Sequence, residues 1–430
     1  MDIYEEYKDS GIDWVGKVPA SWKRSRIKFL LSHSSAGVWG EDEKGNKDDI
    51  VCFRAADFDY SHGCLKLDNN TVRNIQPKLL EGRVLHKRDL LIEKSGGGDA
   101  TPVGRIVRFN YDGIATCSNF MHFISVNKNN DDNYLFYYFY AMYANNVNVL
   151  YFNQTTGIQN LKVSEYLGQI IFIPSLKEQS SISSYLDKKC SEIDNVISAQ
   201  QKRIALLQEL KQSVITHAVT KGLNPNVEMK DAEEDWIDKL PASWKMAKLK
   251  YYIHLVNGRA YSQSELLPEG KYKVLRVGNF FTNDTWYYSN MELEEDKYCN
   301  NGDLLYAWSA SFGPYIWNQD KTIYHYHIWK VCYKEYMDKM YTYYMLKAIT
   351  NFKLGDIHGS TMVHITMESM NNSIIPIPSF DEQKEIASYL DKKCTSIDNA
   401  LSKAQHQVEL LQEYKQSLIT EVVTGKRKVS

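Results

Sequence analysis

The segment that decides the fold, IPSLKEQSSISSYLDKKCSEIDN at residues 173–195, recurs as IPSFDEQKEIASYLDKKCTSIDN at residues 377–399. Extended to residues 173–221 and 377–425, the two copies align without a gap at an offset of 204, and about 29 of 49 positions are identical. Self-similarity at a fixed spacing is the signature of a duplicated structural unit. The sequence therefore predicts two similar halves.

A second repeat lies at the head of each half. DWVGKVPASWK at residues 13–23 recurs as DWIDKLPASWK at residues 235–245. Each half is thus a constant lead, a variable block and a constant tail, the blocks being residues 24–172 and 246–376. The two blocks share little sequence similarity. Arg54 corresponds to Arg276, and RDLLIEKSG corresponds to GDLLYAWSA. Constant frames around diverged blocks indicate two modules that recognise different things, and neutral drift after duplication is the alternative.

The constant tails have the signals of helices. In each, a serine after the proline is followed three residues later by glutamate, which is the spacing of a capping box. Gly222 and Gly425 are suitable stops. Ser191 and Thr395 are placed to cap a second helix. Each tail is therefore predicted to be a short helix followed by a long one of about 30 residues.

An apolar stripe runs along both tails at spacings of three, four and seven, which is typical of a short coiled coil. Because the two stripes are nearly identical, their simplest burial is against each other. The predicted seam consists of Ile193, Ile197, Ile204, Leu207, Val214 and Ala218 in the first tail and of Ile397, Leu401, Val408, Leu411, Leu418 and Val422 in the second.

The variable blocks have the pattern of α+β modules. β-rich runs such as RIVRF, HFISV, KVLRV and HIWKVCY are separated by Gly, Asn and Asp, and aromatic helical stretches follow around residues 134–145 and 340–351. GLNPNVEMKDAEED, from Gly222, is predicted to be the linker between the halves. The predicted domains are residues 1–172, a first module with its lead; 173–222, a helical spacer; 223–376, the linker and second module; and 377–430, a second helical spacer.

Composition narrows the class of protein. The length of 430 residues suits two to four domains, and 43% hydrophobic and 13% aromatic residues are globular values. The acidic start and the lack of an eighteen-residue apolar run argue against a signal peptide or a membrane span. Seven cysteines without a C-x-x-C pair are expected to be reduced thiols in the cytoplasm. A net charge of -2 means that any DNA surface must be a local patch or be completed by a basic partner.

Over essentially its whole length the sequence resembles the specificity subunits of type I restriction-modification systems. The features that carry the resemblance are P-A-S-W-K at the head of each half, then I-P-S, E-Q and S-Y-L-D-K-K after each block. The resemblance implies an α+β fold with two globular target-recognition domains, joined by two long antiparallel coiled-coil helices with pseudo-two-fold symmetry. A two-fold axis perpendicular to the helices requires the helices to pair antiparallel. A helix of 30 residues is about 45 Å long, which is close to the distance of roughly 34 Å between half-sites one DNA turn apart.

The resemblance also implies a bipartite DNA target and a non-catalytic role. The expected partners are double-stranded DNA, two methyltransferase subunits and, in the full complex, motor-nuclease subunits. S-adenosylmethionine would be bound by the partner methyltransferase, and no cofactor is expected on this chain. The residues agree, because the N/D-P-P-Y/F motif of an adenine methyltransferase does not occur, and Gly96-Gly97-Gly98 lacks the G-K-[ST] of a phosphate loop.

Two other constellations are weak signs of catalysis or metal binding. The run DLLIEK, from Asp89 to Lys94, superficially suggests a nuclease site, but its Glu and Lys are adjacent and would face opposite sides of a strand. Four histidines in the second block, His325, His327, His358 and His364, have no further ligand at a recognisable spacing. The sequence therefore predicts neither a catalytic nor a metal site.

Base readout needs side chains with hydrogen-bond donors and acceptors, on loops that follow strands. Arg54 and Arg276, shared by both blocks, are expected to be phosphate anchors or structural pairs. The remaining candidates for DNA contact are Lys94, Ser95, Gly97, Asp99, Arg105, Gln159 and Asn160 in the first block and Ser309, Ser311, Ser360 and Thr361 in the second.

Two other functions stay open at this point. A methyltransferase-binding adaptor or anti-restriction protein without DNA specificity would fit the near-neutral charge. A fused restriction enzyme would need a helicase or nuclease segment, and the sequence has no sign of one.

Overall fold

The computed structural model describes residues 3–155, 157–281, 283–309, 311–355 and 365–429. The chain divides into two compact units, Met1–Gln201 with Gln405–Ser430 (unit 1) and Lys202–Ala404 (unit 2). Each unit contains β-sheets, an aromatic helix and a segment of both long helices. The α+β class is confirmed. Within the described residues, no helix combines the length and the apolar composition needed to cross a membrane.

The described part of the chain contains seven α-helices, of which two are far longer than the rest. They are α1 (Pro77–Leu80), α2 (Asp132–Ala144), α3 (Val163–Tyr166), α4 (Leu176–Lys221), α5 (Lys339–Gly355), α6 (Met367–Asn372) and α7 (Phe380–Val423).

The strands of unit 1 form two four-stranded sheets, in the orders β12-β10-β14-β4 and β13-β6-β9-β5, a three-stranded sheet β11-β16-β15, and the pairs β1-β2, β7-β8 and β17-β3. Their bounds are Tyr7–Asp9 (β1), Lys17–Pro19 (β2), Lys23–Arg26 (β3), Leu31–Ala36 (β4), Glu41–Asp42 (β5), Asp49–Phe53 (β6), Phe58–Asp59 (β7), Cys64–Leu65 (β8), Val72–Asn74 (β9), Asp89–Glu93 (β10), Ser95–Gly96 (β11), Ile106–Arg108 (β12), Ala115–Cys117 (β13), Met121–Val126 (β14), Phe152–Thr155 (β15), Ile158–Leu161 (β16) and Ile170–Ile173 (β17).

Unit 2 has the corresponding sheets β21-β28-β25-β26 and β23-β22-β27-β24, with the pairs β18-β19 and β20-β29. Their bounds are Met229–Glu234 (β18), Ile237–Pro241 (β19), Lys245–Lys248 (β20), Ile253–Asn257 (β21), Tyr272–Leu275 (β22), Tyr287–Ser289 (β23), Tyr298–Cys299 (β24), Leu304–Ala307 (β25), Gly313–Ile316 (β26), Thr322–Tyr324 (β27), Ile328–Tyr333 (β28) and Ile374–Ile377 (β29).

The strand at the centre of each unit is buried on both faces. In β10, Leu90 and Ile92 belong to the core that includes the long helices, and Leu91 belongs to a second core against the other four-stranded sheet. In β25, Tyr306 belongs to the core that includes the long helices, and Leu305 belongs to the core against the other four-stranded sheet. Since side chains alternate along a strand, an uninterrupted apolar run such as LLI at residues 90–92 is the pattern of a strand covered on both sides.

Each tail is one continuous helix, so the predicted break into a short and a long helix is wrong. α4 has 46 residues and α7 has 44, and both pass through Ser191 or Thr395 without interruption. Cys190 and Ile193, on either side of Ser191, are buried in the core of unit 1. The small helix penalty of one serine or threonine is outweighed by burial of the stripe that continues past it.

The predicted capping box is complete at α7 and half-formed at α4, and the predicted glycine stops are present at both helices. Ser379 and Glu382 form the full reciprocal capping box of α7. At α4, Ser175 accepts from the amide of Glu178. The carboxylates of Glu178 and Glu382 each accept from an indole, of Trp22 and Trp244 respectively, at 3.1 Å. Past the other ends, Gly222 and Gly425 adopt a φ of +74°.

Segments of both long helices pack together inside each unit. In unit 1 the first part of α4 shares a core with the last part of α7, and in unit 2 the last part of α4 shares a core with the first part of α7. Within each unit the segments thus come from opposite ends of their helices, as antiparallel pairing requires. Among the seam residues, Ile193, Ile197, Ala218, Ile397, Leu418 and Val422 are buried, and Ile204, Leu207, Val214, Leu401, Val408 and Leu411 are half-buried.

Part of the predicted linker is a second copy of the lead hairpin. Its residues Met229–Glu234 form β18, which pairs with β19 as β1 pairs with β2 in unit 1. Lys230 donates to the carbonyl of Trp244 at 2.6 Å, and Lys8 donates to that of Trp22 at the same distance. The segment is therefore not an irregular connection. The sequence signal was the shared Lys-Asp pair at the start of both hairpins.

The first and last residues of each variable block lie side by side. Arg24 pairs with Phe172 across β3 and β17, and Met246 pairs with Pro376 across β20 and β29. Each block therefore leaves and rejoins the constant frame at one two-stranded ladder.

The glutamine of the E-Q motif holds the aromatic helix of its unit. Gln179, nearly inaccessible to solvent, accepts from the amide of Asp131 at 2.9 Å and donates to Asn130. Gln383 accepts from the amide of Asp338 at 2.8 Å. A buried amide with its hydrogen bonds satisfied orients the elements that it joins.

We expect Gly425→Ala to destabilise the protein more than Gly222→Ala. Both substitutions force alanine into a left-handed conformation, which costs about 1–2 kcal/mol. A Cβ at Gly425 would also lie 2.3 Å from Cδ of Pro19, whereas at Gly222 the nearest atom is 3.2 Å away in Trp244. Overpacking adds roughly 1–3 kcal/mol. Denaturant unfolding of the two variants measures the difference, and equal losses of stability would contradict the packing argument.

Candidate nucleic-acid interface

The loop after β10 in unit 1 carries several predicted DNA contacts, which differ in accessibility. Ser95 is buried, and its hydroxyl donates to Oδ1 of Asn160 at 2.8 Å. Lys94 is half-buried, and Gly97 and Asp99 are exposed. The structure thus brings Ser95 and Asn160 together and leaves Gly97 and Asp99 at the surface.

A hairpin formed by β15 and β16 covers one side of this loop. Asn153 and Asn160 are directly opposite each other and exposed, whereas Gln159 alternates to the inner face and is 2% exposed. The side-chain oxygen of Gln159 accepts from the amide of Val103 at 3.1 Å. Asn160 is therefore available to a ligand, and Gln159 has a structural contact.

Arg105 forms an ion pair with a buried carboxylate. Its guanidinium donates two hydrogen bonds to Glu93, at 2.9 and 3.3 Å, and lies over the ring of Tyr60 at 3.8 Å. Glu93 is 2% exposed. A buried carboxylate needs such a partner, since removing one member of a buried pair leaves an uncompensated charge.

Arg54 and Arg276 have equivalent backbone positions but different partners. Each follows a central strand of its second sheet and precedes a 3-10 turn. Arg54 pairs with the carboxylate of Asp57 at 3.0 Å. Arg276 is exposed, lies over the ring of Tyr287 at 5.4 Å and faces neutral Asn279 at the position of Asp57.

In unit 2 the predicted contacts follow β25. Ser309 and Ser311 are half-buried, and the amide of Ser311 donates to the carbonyl of Ser309 at 2.8 Å. The adjoining Trp308 stacks on Trp329 with ring centroids 6.0 Å apart. The other two predicted contacts in this unit, Ser360 and Thr361, lie outside the described residues, as do His358 and His364.

His122 and His325, near these loops, are uncharged at neutral pH. Burial, with nearby Lys94, lowers the pKa of His122 to about 4, and burial, with His327 and Arg276, lowers that of His325 to about 4. Among the residues that the structure describes, no three His, Cys, Asp or Glu side chains are grouped as ligands for a metal ion.

The exposed turn that precedes β14 is not among the predicted DNA contacts. Its residues Asn119 and Phe120 are exposed, Phe120 by 52%, beside Lys94. Their signal was the pair of β-rich runs MHFISV at residues 121–126 and IWKVCY at residues 328–333, since the residues just before these runs differ between the two blocks.

We expect Arg105→Ala to lower stability by about 3–5 kcal/mol, because the buried side chain of Glu93 would lose its ion-pair partner. Replacing Glu93 with Gln in the same protein should restore part of the loss. Denaturant unfolding measures both. Arg203→Ala, at an exposed helix position, is the control and should change stability by roughly 0.5 kcal/mol or less. A loss no larger than that of the control would show that the pair is not structural.

The chain is similar in sequence to specificity subunits of type I restriction enzymes. The chain is 26% identical over 327 residues to the specificity subunit of the type I restriction enzyme MjaVIII from Methanocaldococcus jannaschii, a match that covers 70% of this chain and 72% of that protein. It is 20% identical over 186 residues to the EcoBI specificity subunit of Escherichia coli, covering 43% and 39%.

Solved structures share the fold at low sequence identity. A chain from a type I R-M system, solved to explain complex assembly and conformational transition, has a TM-score of 0.73 at 16% identity, covering 94% of this chain and 98% of that one. The HsdS subunit of Thermoanaerobacter tengcongensis has a TM-score of 0.53 at 16% identity, covering 97% and 100%.

The family model for the type I restriction modification DNA specificity domain matches the chain twice, at residues 32–206 and 241–410. Each match spans all or most of one variable block and most of the tail that follows it. The two matches together cover well over half of the sequence. The chain therefore belongs to the family of type I restriction-modification DNA specificity proteins.

Proposed function

We propose that this protein is the DNA-reading subunit of a type I restriction-modification complex, in which each unit reads one half of a bipartite target. The chain itself performs no catalysis in this proposal. Methyl transfer, with S-adenosylmethionine, belongs to the partner methyltransferase subunits, and cleavage belongs to motor-nuclease subunits in the full complex. The proposal places the protein in the cytoplasm, with its DNA.

The observation that carries the proposal is that each unit holds a variable block in the same constant frame of strands and helices. Both blocks enter and leave the frame at one strand pair, Arg24 with Phe172 and Met246 with Pro376. Both frames hold their aromatic helix through the same glutamine. Such a frame can present different recognition surfaces without a change in how the helices pack.

The exposed polar side chains of unit 1 are the better candidates for base contact. Lys94, Asp99 and Asn160 are at least partly accessible, whereas Ser95 and Gln159 are buried in contacts of their own. We therefore assign the last two to supporting roles. The supply of donors and acceptors at Asn and Lys suits base edges in the major groove.

The long helices offer a docking surface for the methyltransferase in each unit. Leu206 and Leu210 are exposed by 65% and 49% in unit 2, and Leu410 and Tyr414, 204 positions later, are exposed by 49% and 50% in unit 1. Residues four apart share a helix face. Two matching exposed apolar pairs suit two copies of one partner.

Binding selection tests the proposal most directly. The full chain, with and without its methyltransferase, is incubated with randomised duplex DNA, and the bound duplexes are sequenced. We expect a bipartite sequence to be enriched with the partner and weak binding without it, because a near-neutral chain releases few counterions from phosphates. Enrichment of no sequence in either form would favour the adaptor without DNA specificity.

We expect exchange of residues 24–172 for the block of a relative to change one half-site and leave the other intact. The paired ends of the block allow the exchange without moving the frame. Mapping of methylated adenines across a genome that carries the hybrid gives the new target. Alteration of both half-sites would contradict independent reading by the two units.

We expect Leu206→Asp with Leu210→Asp to remove one bound methyltransferase, and Leu410→Asp with Tyr414→Asp to remove the other. Loss of apolar anchors at an interface costs on the order of 2 kcal/mol each. Native mass spectrometry counts the subunits. Gln405→Asp, nine residues or 2.5 turns from Tyr414, adds a charge elsewhere on α7 and should retain two. A full complement in both double variants would place the interface elsewhere.

A further inference from the structure

The turn before β14 has a counterpart in unit 2 with the same main-chain contacts. In unit 1 the amide of Lys94 donates to the carbonyl of Phe120 at 2.9 Å. In unit 2 the amide of Trp308 donates to the carbonyl of His327 at 3.1 Å. Residues 118–120 and 325–327 therefore occupy the same place beside the central strand, and they are called the reading turns below.

Each reading turn begins at the same hydrogen bond to the second sheet. The amide of Ser118 donates to the carbonyl of Phe53, and the amide of His325 donates to the carbonyl of Leu275, both at 2.9 Å. The turns are thus fixed on two sides in each unit.

A glycine passes so close to each reading turn that no side chain fits. A Cβ on Gly37 would lie 2.4 Å from the carbonyl oxygen of Ser118, and one on Gly258 would lie 2.4 Å from that of His325. Real Cβ atoms do not approach carbonyl oxygens this closely, so both positions require glycine. The backbone around the turns is therefore constrained alike in both units.

The side chains on this shared backbone all differ. Ser118, Asn119 and Phe120 in unit 1 correspond to His325, Tyr326 and His327 in unit 2, and neighbouring Lys94 corresponds to Trp308. Phe120 is 52% exposed and Tyr326 is 38% exposed, so neither ring is explained by core packing. At residues 119, 120 and 326 the variation therefore lies at the surface.

The residue next to each anchoring carbonyl is the same. Arg54 follows Phe53 and Arg276 follows Leu275, so an arginine stands beside the start of each reading turn. A shared cation next to divergent side chains is the arrangement expected of DNA recognition, in which phosphate contacts position the protein and base contacts specify the sequence.

This contrast between constant and divergent positions distinguishes two classes of partner. A methyltransferase that binds both units would meet the same surface twice and would require similar side chains at equivalent positions. Two different half-sites require different ones. The amide of Asn119 matches the paired donor and acceptor on the edge of adenine, and exposed rings can contact the methyl group of thymine.

We infer that Asn119 and Phe120 in unit 1, and Tyr326 and His327 in unit 2, read bases, each turn serving the half-site of its own unit, with Arg54 and Arg276 as anchors on the adjacent phosphates. The inference rests on the proposed function and names the elements that determine specificity. It adds Asn119, Phe120, Tyr326 and His327 to the base-reading surface.

The test uses the full chain with its methyltransferase and randomised duplex DNA. Asn119→Ala with Phe120→Ala should reduce discrimination at one half-site by roughly 10-fold or more, the effect of losing a good base contact. The other half-site should be unchanged. Tyr326→Ala with His327→Ala should have the reverse effect. Ile114→Ala, an exposed apolar position of unit 1 outside the turn, is the matched control and should leave both half-sites intact.

The outcomes separate this inference from the proposed function. If the unaltered complex enriches no sequence, the proposed function fails. If it enriches a bipartite sequence, and variants with an unaltered melting temperature read both half-sites as before, or relax both alike, the reading turns do not determine specificity. Asn119→Ala alone, which changes one exposed side chain, keeps the test decisive if the double variant does not fold.

Discussion

The burial of the long-helix segments against the aromatic helix is the interaction on which each unit depends. In unit 1, Leu186 and Ile193 of α4 and Leu418 of α7 share one core with α2, and the helices are joined by an ion pair of Lys415 with Asp194 at 2.7 Å. Unit 2 repeats this arrangement. An amphipathic helix of more than 40 residues has little stability without such a covered face. The rest of each unit is attached to this core.

Hydrogen bonds fix the orientation of the aromatic helix on the long helices. Tyr137 donates to Asp187 and Tyr344 donates to Asp391, both at 2.7 Å, so the aspartate of S-Y-L-D-K-K holds the aromatic helix in each unit. The glutamine of E-Q fixes the start of the same helix. The tail motifs are therefore repeated because each joins a constant helix to a module. The modules can diverge wherever these contacts are spared.

Charge explains why this surface was difficult to identify from composition. Arg105 is neutralised by Glu93, and Arg54 by Asp57, so basic residues near the candidate interface are partly compensated within the protein. A net charge of -2 is compatible with DNA contact when a partner supplies further cations. Specificity then depends on a few exposed groups. Affinity for phosphate depends on the whole complex.

The sequence by itself determined the duplication, the helical tails, their caps and the α+β class, because these follow from repeats and local periodicity. It did not reveal that α4 passes through Ser191 without a break, since burial on both sides of that residue outweighs local propensity. Nor did it separate Gln159, which is buried, from Asn160, which is exposed. Only the tertiary structure decided which side chains remain at the surface, because burial and pairing depend on residues distant in the chain.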